Sequence, residues 1–526
     1  MKIVRIGDGS SEPATADIIG AKAANIARMA ALGLPVPPAF VLPIELCAAI
    51  VAGDAKARAQ LAEGLADGIA HLEKVTGRRF GGRRNPLLVS VRSGAARSMP
   101  GMLDTVLNVG SSMAAVHGLV RSSGNPRFAW DCRRRFLESF GEVVLDVDRE
   151  LFATRIAQIA AGEKCRDEAM LDGEAMERLA LAQQQVIEER GEFVCDEPMD
   201  QLEMAAGAVY RSWMSDRART YRKLQGLDDL RGTAVTVQAM VFGNAGRESG
   251  AGVAFSRDPS TGAAQPVIEV LFGAQGEDVV SGNRTPANEQ AIEQRLPTVA
   301  TQLREVLHRL EREFADVQDI EFTIEAGRLW LLQTRPAKRT PAAALRFAVE
   351  LVREGVISPA RALQLLDGID VSKVCRARLR DVGDPAAHGI GASAGVAVGR
   401  VAFSSESAER IASSGDPVIL VRRDTSTADV AGFAASAGIV TAIGGRTAHA
   451  ALVARQMGKP SIVGCAALQV DPLAQTVELA GQPIREGDWL SIDGEAGTIF
   501  RGRGWIETER LDAFQNEIES WRRQVA

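Results

Sequence analysis

The sequence predicts a multidomain protein that mixes α/β and α+β units, and three observations carry that expectation. At 526 residues the chain exceeds what one hydrophobic core ordinarily organises, so two to four domains are expected. Strand-like and helix-like hydrophobic periods both occur along it. A composition break at "PAKRTP" separates a first region, ending near residue 340, from a compact β-rich unit that begins near Ile390.

Taken in order, "AKAANIARMAALGLPVPPAFVL" reads as a helix stopped at Gly33, a proline-rich turn and a strand. "PLLVSVRSGAARSMPGMLDTVLNVG" reads as a buried strand running into a loop of small residues. Residues 125 to 225 read as mostly helical, with "RFAWDCRRRFLESFGEVVLDV" amphipathic and rich in arginine. Strands return in "GTAVTVQAMVFGN", "SGAGVAFSRDP" and "PVIEVLFG". The glycines of "FGNAGRESGAG" fit a hairpin loop better than a lid. Residues 340 to 380 read as linker helices. The β-rich unit follows in "GVAVGRVAF", "PVILVRRD", "GIVTAI", "SIVGC" and "DWLSIDGEAGTIFRG". The last segment reads as one helix whose Leu511, Phe514, Ile518, Trp521 and Val525 recur at 3,4,3,4 spacing. That seam suits an internal packing face, and also a coiled-coil contact that would make a homodimer. The expected limits are 1–340, a helical linker 341–388, a swivelling unit 389–502 and a C-terminal helix 503–526.

A net charge of −6 and a pI near 5.7 argue against nucleic acid as a partner. No apolar run approaches a membrane span, and "MKIVRIGDGSSEP" has no signal-peptide core. The six cysteines are scattered without a CxxC pair, which fits reduced thiols in a cytoplasmic protein.

Chemistry concentrates in a few stretches. "GIVTAIGGRTAHAALVARQMG" reads as strand, glycine turn and helix, with His449 at the helix start. Free N–H groups and the macrodipole favour negative charge there, so a neutral imidazole that becomes phosphorylated suits the place. A capping, packed histidine suits it too. Lys22 in "GAKAAN" sits near a helix start, where it can meet phosphate or simply be solvated. Arg92 ends a strand, and Ser93, Gly94, Ala95, Ala96, Ser98 and Gly101 after it would let backbone N–H groups close on phosphate oxygens. "DIEFTIEAGRLWLLQTR" reads as a β-hairpin with a three-residue loop at Ala326–Arg328. That register sets Glu321 opposite Gln333 and Asp319 opposite Arg335 on the polar face. A carboxylate beside an amide oxygen suits Mg²⁺, with arginine for polyphosphate; a cross-strand polar ladder is the plainer reading.

Together "VSVRSGAARSMPGMLDTVLNVG", "GTAVTVQAMVFGNAG", "GVAFSRDPSTG", "AQGEDVVSGNRTP", "DIEFTIEAGRLWLLQTR" and "GGRTAHAALVARQMGKPSIVGC" closely resemble the pyruvate phosphate dikinase family, in order and over nearly the whole chain. "GGRT" also resembles phosphoenolpyruvate synthase. The resemblance implies an ATP-grasp nucleotide-binding domain followed by a swivelling phosphohistidine domain. It implies His449 as the nucleophile that takes phosphate from ATP. By the same resemblance Lys22, Arg92, Gly101, Asp319 and Arg335 belong to the ATP and phosphate site, while Glu321 and Gln333 hold Mg²⁺. Either Arg127 or Arg134 would meet inorganic phosphate. Two departures are local: alanines stand in "GAKAAN" where glycines are usual, and Ala448 stands where a serine is usual before the histidine. The family's C-terminal pyruvate- or phosphoenolpyruvate-binding barrel has no counterpart in these 526 residues. The expected activity is therefore the ATP-side half-reaction, with an acceptor on another chain or a small molecule. A non-catalytic regulator or a phosphocarrier is the alternative, and retention of all six of Lys22, Arg92, Glu321, Gln333, Arg335 and His449 favours the enzyme.

Overall fold

The computed structural model describes residues 3–7, 14–97, 99, 102–165, 167–281, 284–425, 429–446, 448–471 and 476–525. The chain divides into two compact units: Met1–Arg247 with Trp330–Thr334, and Glu248–Leu329 with Arg335–Ala526.

Among the described residues, the first unit holds an antiparallel sheet in the order Val4–Ile6, Ala39–Leu42, Thr233–Ala239, Val89–Ala95, Thr105–Val109. Thr233–Ala239 is buried at every position, so its polar side chains need partners. Gln238 finds one by donating to the Pro37 carbonyl at 3.1 Å. The long helix Pro126–Val144 starts where Asn125 accepts from the Phe128 N–H and Pro126 supplies a preset φ. It buries Phe136, Leu137 and Phe140 in the same core as the sheet's Val89 and Val91. The helical expectation for residues 125 to 225 holds: Arg149–Gly162, Gly173–Glu188, Pro198–Arg211 and Asp216–Gln225 follow.

In the second unit, Ala287–Asn288, Val267–Phe272, Gly250–Phe255 and Gln318–Glu325 pair antiparallel in that order. The glycine-rich stretch before Gly250 is not a hairpin loop. It carries the chain from Thr233–Ala239, in one sheet, to Gly250–Phe255, in another. The turn after Gln318–Glu325 is shorter than the expected three residues. Only Ala326 and Gly327 lie between the strands, both left-handed (φ 47° and 75°), as a two-residue hairpin turn requires.

The linker helices Pro341–Arg353 and Pro359–Leu365 are present, capped by Thr340 and Ser358. Cys375–Arg380, expected within that helical stretch, is instead a strand paired with Trp505–Arg510. The C-terminal helix accordingly begins later, at Asp512. Its Ile518 and Trp521 are buried in one core with Leu345, Phe347 and Val349 of the linker, and Leu511 and Phe514 pack on that core. Among the described side chains, Leu511, Phe514, Ile518 and Trp521 of the 3,4 seam thus pack inside the chain.

Residues 387 to 501 form a second sheet of this unit. Val396–Ala402, Val418–Arg422, Gly438–Thr441 and Ser461–Val463 run parallel, with antiparallel strands at both sides. The helices Ser405–Ser413, Val430–Ala435 and His449–Gln456 make the crossovers that parallel strands demand. All six cysteines are free, and no helix among the described residues is long and apolar enough to cross a membrane.

Candidate phosphoryl-transfer site

In the first unit, Lys22 and Arg92 are placed by a glycine–glycine contact. The helix Ala16–Ala31 is broken at Gly20, whose backbone is non-helical (φ 81°, ψ 152°), so Lys22 lies just inside a new helical start. A Cβ on Gly20 would stand 2.2 Å from the Gly94 carbonyl oxygen. Only glycine permits that approach, which fixes Lys22's helix against Arg92's strand. Both side chains are half-buried. Gly20→Ala should therefore lower stability by ~3 kcal/mol, at the upper end of ordinary substitutions, through positive φ and overlap together. Thermal unfolding checks this; a Tm within a degree of the parent would refute the contact's role. Asn25, one turn beyond Lys22, donates to the Thr334 carbonyl at 3.0 Å, and Gln333 is half-buried beside Thr334 in this same unit. Gly101 and Ser98 lie outside the described residues.

Neither phosphate candidate in the long helix is idle. Arg134, 3 % exposed, bonds Asp131 at 3.0 Å and Glu138 at 2.9 Å. Burial opposes ionisation of Asp131, but Arg135 and Arg134 prevail and hold its carboxyl far below the usual range. Arg127 donates to the carbonyls of Leu171 at 2.7 Å and Ala169 at 2.9 Å.

The second unit gathers the remaining groups on one sheet face. Cross-strand neighbours share a face, as do alternate residues along a strand. Glu269 is opposite Val253, and Val253 opposite Glu321; Val267 is opposite Phe255, and Phe255 opposite Asp319. Glu269, Glu321 and Asp319 therefore project from the same side. Arg335 joins them: its Nε donates to Asp319 Oδ2 at 2.8 Å and its Nη1 lies 3.8 Å from Glu321 Oε1. Asp319 and Arg335 are thus joined side chain to side chain, although the two-residue turn does not by itself give the expected register in which they stand directly opposite. Burial pushes the Asp319 carboxyl above the usual range, with Arg335 pulling the other way. For Arg335 burial disfavours the charge, but Asp319 and Glu321 more than offset it and keep the guanidinium firmly cationic. Asp319 Oδ1 is buried without a hydrogen-bond partner.

His449 belongs to the loop-to-helix step that follows Gly438–Thr441, at the carboxyl end of a parallel strand, where α/β sheets place their sites. It is the first residue of His449–Gln456, with Ala448 as N-cap and no side-chain cap bond. Three residues earlier, the Arg446 N–H donates to Glu269 Oε1 at 2.6 Å, and Arg446 Nε reaches the Gly391 carbonyl at 2.8 Å. A Cβ on Gly445 would stand 2.4 Å from Pro286 and 2.8 Å from Glu269 Oε2, so the glycine is what allows the loop to seat here. The loop leading to His449 is thereby fastened to the acidic face. Sequence reasoning missed Glu269 and Arg446. For Glu269 a signal existed: it is a lone carboxylate in the apolar run "PVIEVLFG".

Comparison with known proteins identifies the family. Residues 52–300 and 287–354 match the family model described as pyruvate phosphate dikinase, AMP/ATP-binding domain. Residues 415–497 match the model described as PEP-utilising enzyme, mobile domain. An ATP-grasp nucleotide-binding region followed by a mobile domain defines a multidomain α/β protein. The chain belongs to the pyruvate phosphate dikinase family. It is 42% identical to pyruvate, phosphate dikinase of Rhizobium meliloti (strain 1021), over 98% of this chain and 59% of that protein. It is 40% identical to pyruvate, phosphate dikinase 2 of Zea mays, over 99% and 60%, and to pyruvate, phosphate dikinase of Clostridium symbiosum, over 94% and 57%. The chain thus spans rather more than half the length of these curated relatives.

Proposed function

We propose that this chain is a pyruvate phosphate dikinase-like phosphotransferase that uses ATP to phosphorylate its own His449 and then passes the phosphoryl group to an acceptor. The observation that carries the reading is the 2.6 Å bond from the Arg446 N–H to Glu269, which fastens the approach to His449 onto the face bearing Asp319, Glu321 and Arg335. An imidazole nitrogen of His449 forms a bond to phosphorus as the bond from phosphorus to its leaving oxygen breaks. Lys22, Arg92, Gly101 and Arg335 hold the polyphosphate, and Asp319, which holds Arg335 before the polyphosphate binds, belongs to the same site. The cations match the charge that spreads over phosphoryl oxygens, which is the main catalytic work in this chemistry. We further take the working parts to be 1–340 for ATP, 341–388 as linker, 389–502 as the swivelling domain and 503–526 as the closing helix.

The residues fit a magnesium ion. No cluster of three or more acidic, histidine or cysteine ligands occurs among the described residues. Mg²⁺ bound with a nucleotide needs only one or two protein oxygens, since phosphate and water supply the rest. Glu321 and Gln333 would hold it, and bound there it would neutralise charge on the transferring group. Glu321→Ala and Gln333→Ala should each raise the Mg²⁺ concentration needed for half-maximal phosphorylation, by about the same factor. Unchanged Mg²⁺ dependence in both would return the hairpin to a polar ladder. The acceptor is a pyruvate- or phosphoenolpyruvate-binding site on another chain or another small molecule, and either inorganic phosphate or water takes the remaining phosphoryl group of ATP. Intact-mass measurement of the chain after ATP and Mg²⁺, with and without phosphate, tests the reading. Failure to gain a phosphoryl group under either condition would leave a non-catalytic relative or a phosphocarrier.

A further inference from the structure

Arg455 lies in the helix that His449 opens, yet none of the chemistry above uses it. Its side chain is almost completely enclosed, at 2 % exposure. One terminal nitrogen, Nη2, donates to the carbonyls of Ala392 at 2.7 Å and Arg446 at 3.1 Å, so the guanidinium braces the loop that leads to His449. Its other donors, Nε and Nη1, are buried with no partner. The guanidinium carbon is 5.6 Å from the centre of the Phe255 ring, and Phe255 is the cross-strand neighbour of Asp319. Arg455 therefore stands over the same sheet face as Asp319, the residue whose Oδ1 also lacks a partner while Oδ2 holds Arg335. A buried cation, Arg455, and a half-buried one, Arg335, act on one buried carboxylate, and only Arg335 bonds it. Buried donors and acceptors are rarely left unmatched, and leaving them so is costly.

We propose that Arg455 is a positioning residue for phosphoryl transfer: seated with the His449 helix, it receives the Asp319 carboxylate when Arg335 turns from Asp319 to the polyphosphate. Without Arg455, releasing Arg335 would strand a buried carboxylate, so Arg335 would stay paired and face the phosphate less often. Burial pushes the Arg455 guanidinium down to about 10, with Asp319 and Glu269 opposing the loss of charge, and at that value it is cationic at neutral pH. The inference rests on the proposed phosphotransferase reading and adds a route by which seating of the mobile domain reaches the phosphate site.

A double-mutant cycle tests it on the full chain, using Arg455→Met, Arg455→Lys, Asp319→Asn and the Arg455→Met/Asp319→Asn pair. In single-turnover phosphorylation with ATP and Mg²⁺, Arg455→Met should slow the rate about 10-fold at saturating ATP and leave the half-saturating ATP concentration unchanged. Arg455→Lys should recover most of the rate. In the Asp319→Asn background, Arg455→Met should add less than about 3-fold, because the partner it serves is already gone. Losses that simply multiply, or that fall on ATP half-saturation, would overturn the proposal. Thermal unfolding of the parent and these four variants with saturating ATP, which draws Arg335 to the polyphosphate, gives a second measurement that needs no turnover. Coupled shifts in Tm support the pair and additive shifts refute it. A parent chain that takes no phosphate from ATP would sink the functional reading, while the unfolding cycle would still decide on Arg455 and Asp319.

Discussion

Incubated with ATP and Mg²⁺, the chain should acquire a phosphoryl group that acid removes and base spares, and His449→Ala should abolish it completely. The acid lability follows from the P–N bond, since protonation of the imidazole turns it into a good leaving group. Nucleotide affinity should stay within about 2-fold, because the groups proposed to hold ATP lie on other elements and distant sites act independently. The position favours the product as well as the attack. His449 is the first residue of its helix, where unpaired backbone N–H groups and the helix dipole stabilise an added anion. Labelling by radioactive ATP, followed by acid and base treatment, reads all of this. Equal labelling of the alanine variant would remove His449 as nucleophile.

The second large effect is expected at Arg335. Arg335→Ala should slow phosphorylation by ~10²-fold or more, the scale seen when a group that stabilises transition-state charge is removed. Its two carboxylate neighbours keep it cationic in a half-buried place, so its charge is held by the protein and only partly solvated. Alanine also leaves Asp319 buried beside an empty space, and some loss of stability will accompany the loss of rate. Arg335→Lys separates the two effects. It restores a cation next to Asp319 but not the planar fork, so Tm should recover more than rate does. Single-turnover kinetics paired with thermal unfolding distinguishes these outcomes, and full activity in both variants would exclude Arg335 from the transfer.

How much of this was legible in the sequence depended on the range of the interactions. Local signals read well. The glycine turn and the start of a helix at His449 are written in seven consecutive residues, and the alternation in "DIEFTIEAGRLWLLQTR" was enough to bring Asp319 and Arg335 within reach of each other, though not to fix the register. Turn length was misjudged because Ala326 adopts a left-handed φ of 47°, a conformation an alanine does not announce. The strands Cys375–Arg380 and Trp505–Arg510 were missed because each is charged and exposed, and they meet across more than a hundred residues. Arg455 was unreadable for a similar reason. One arginine in a helix says nothing until the fold sets it over Phe255 and beside Asp319.

The pairing of Cys375–Arg380 with Trp505–Arg510 has a mechanical meaning for the domain between them. A body joined by two separate strings can drift in almost any direction that their lengths permit. Here the incoming and outgoing segments are bonded to each other, with Arg380 held to Glu507 at 2.7 Å, and they form a single strap. A strap of two hydrogen-bonded strands resists stretching and shearing far more than it resists twisting. If the body carrying His449 swivels as proposed, such a mount would let it turn about one axis more readily than slide.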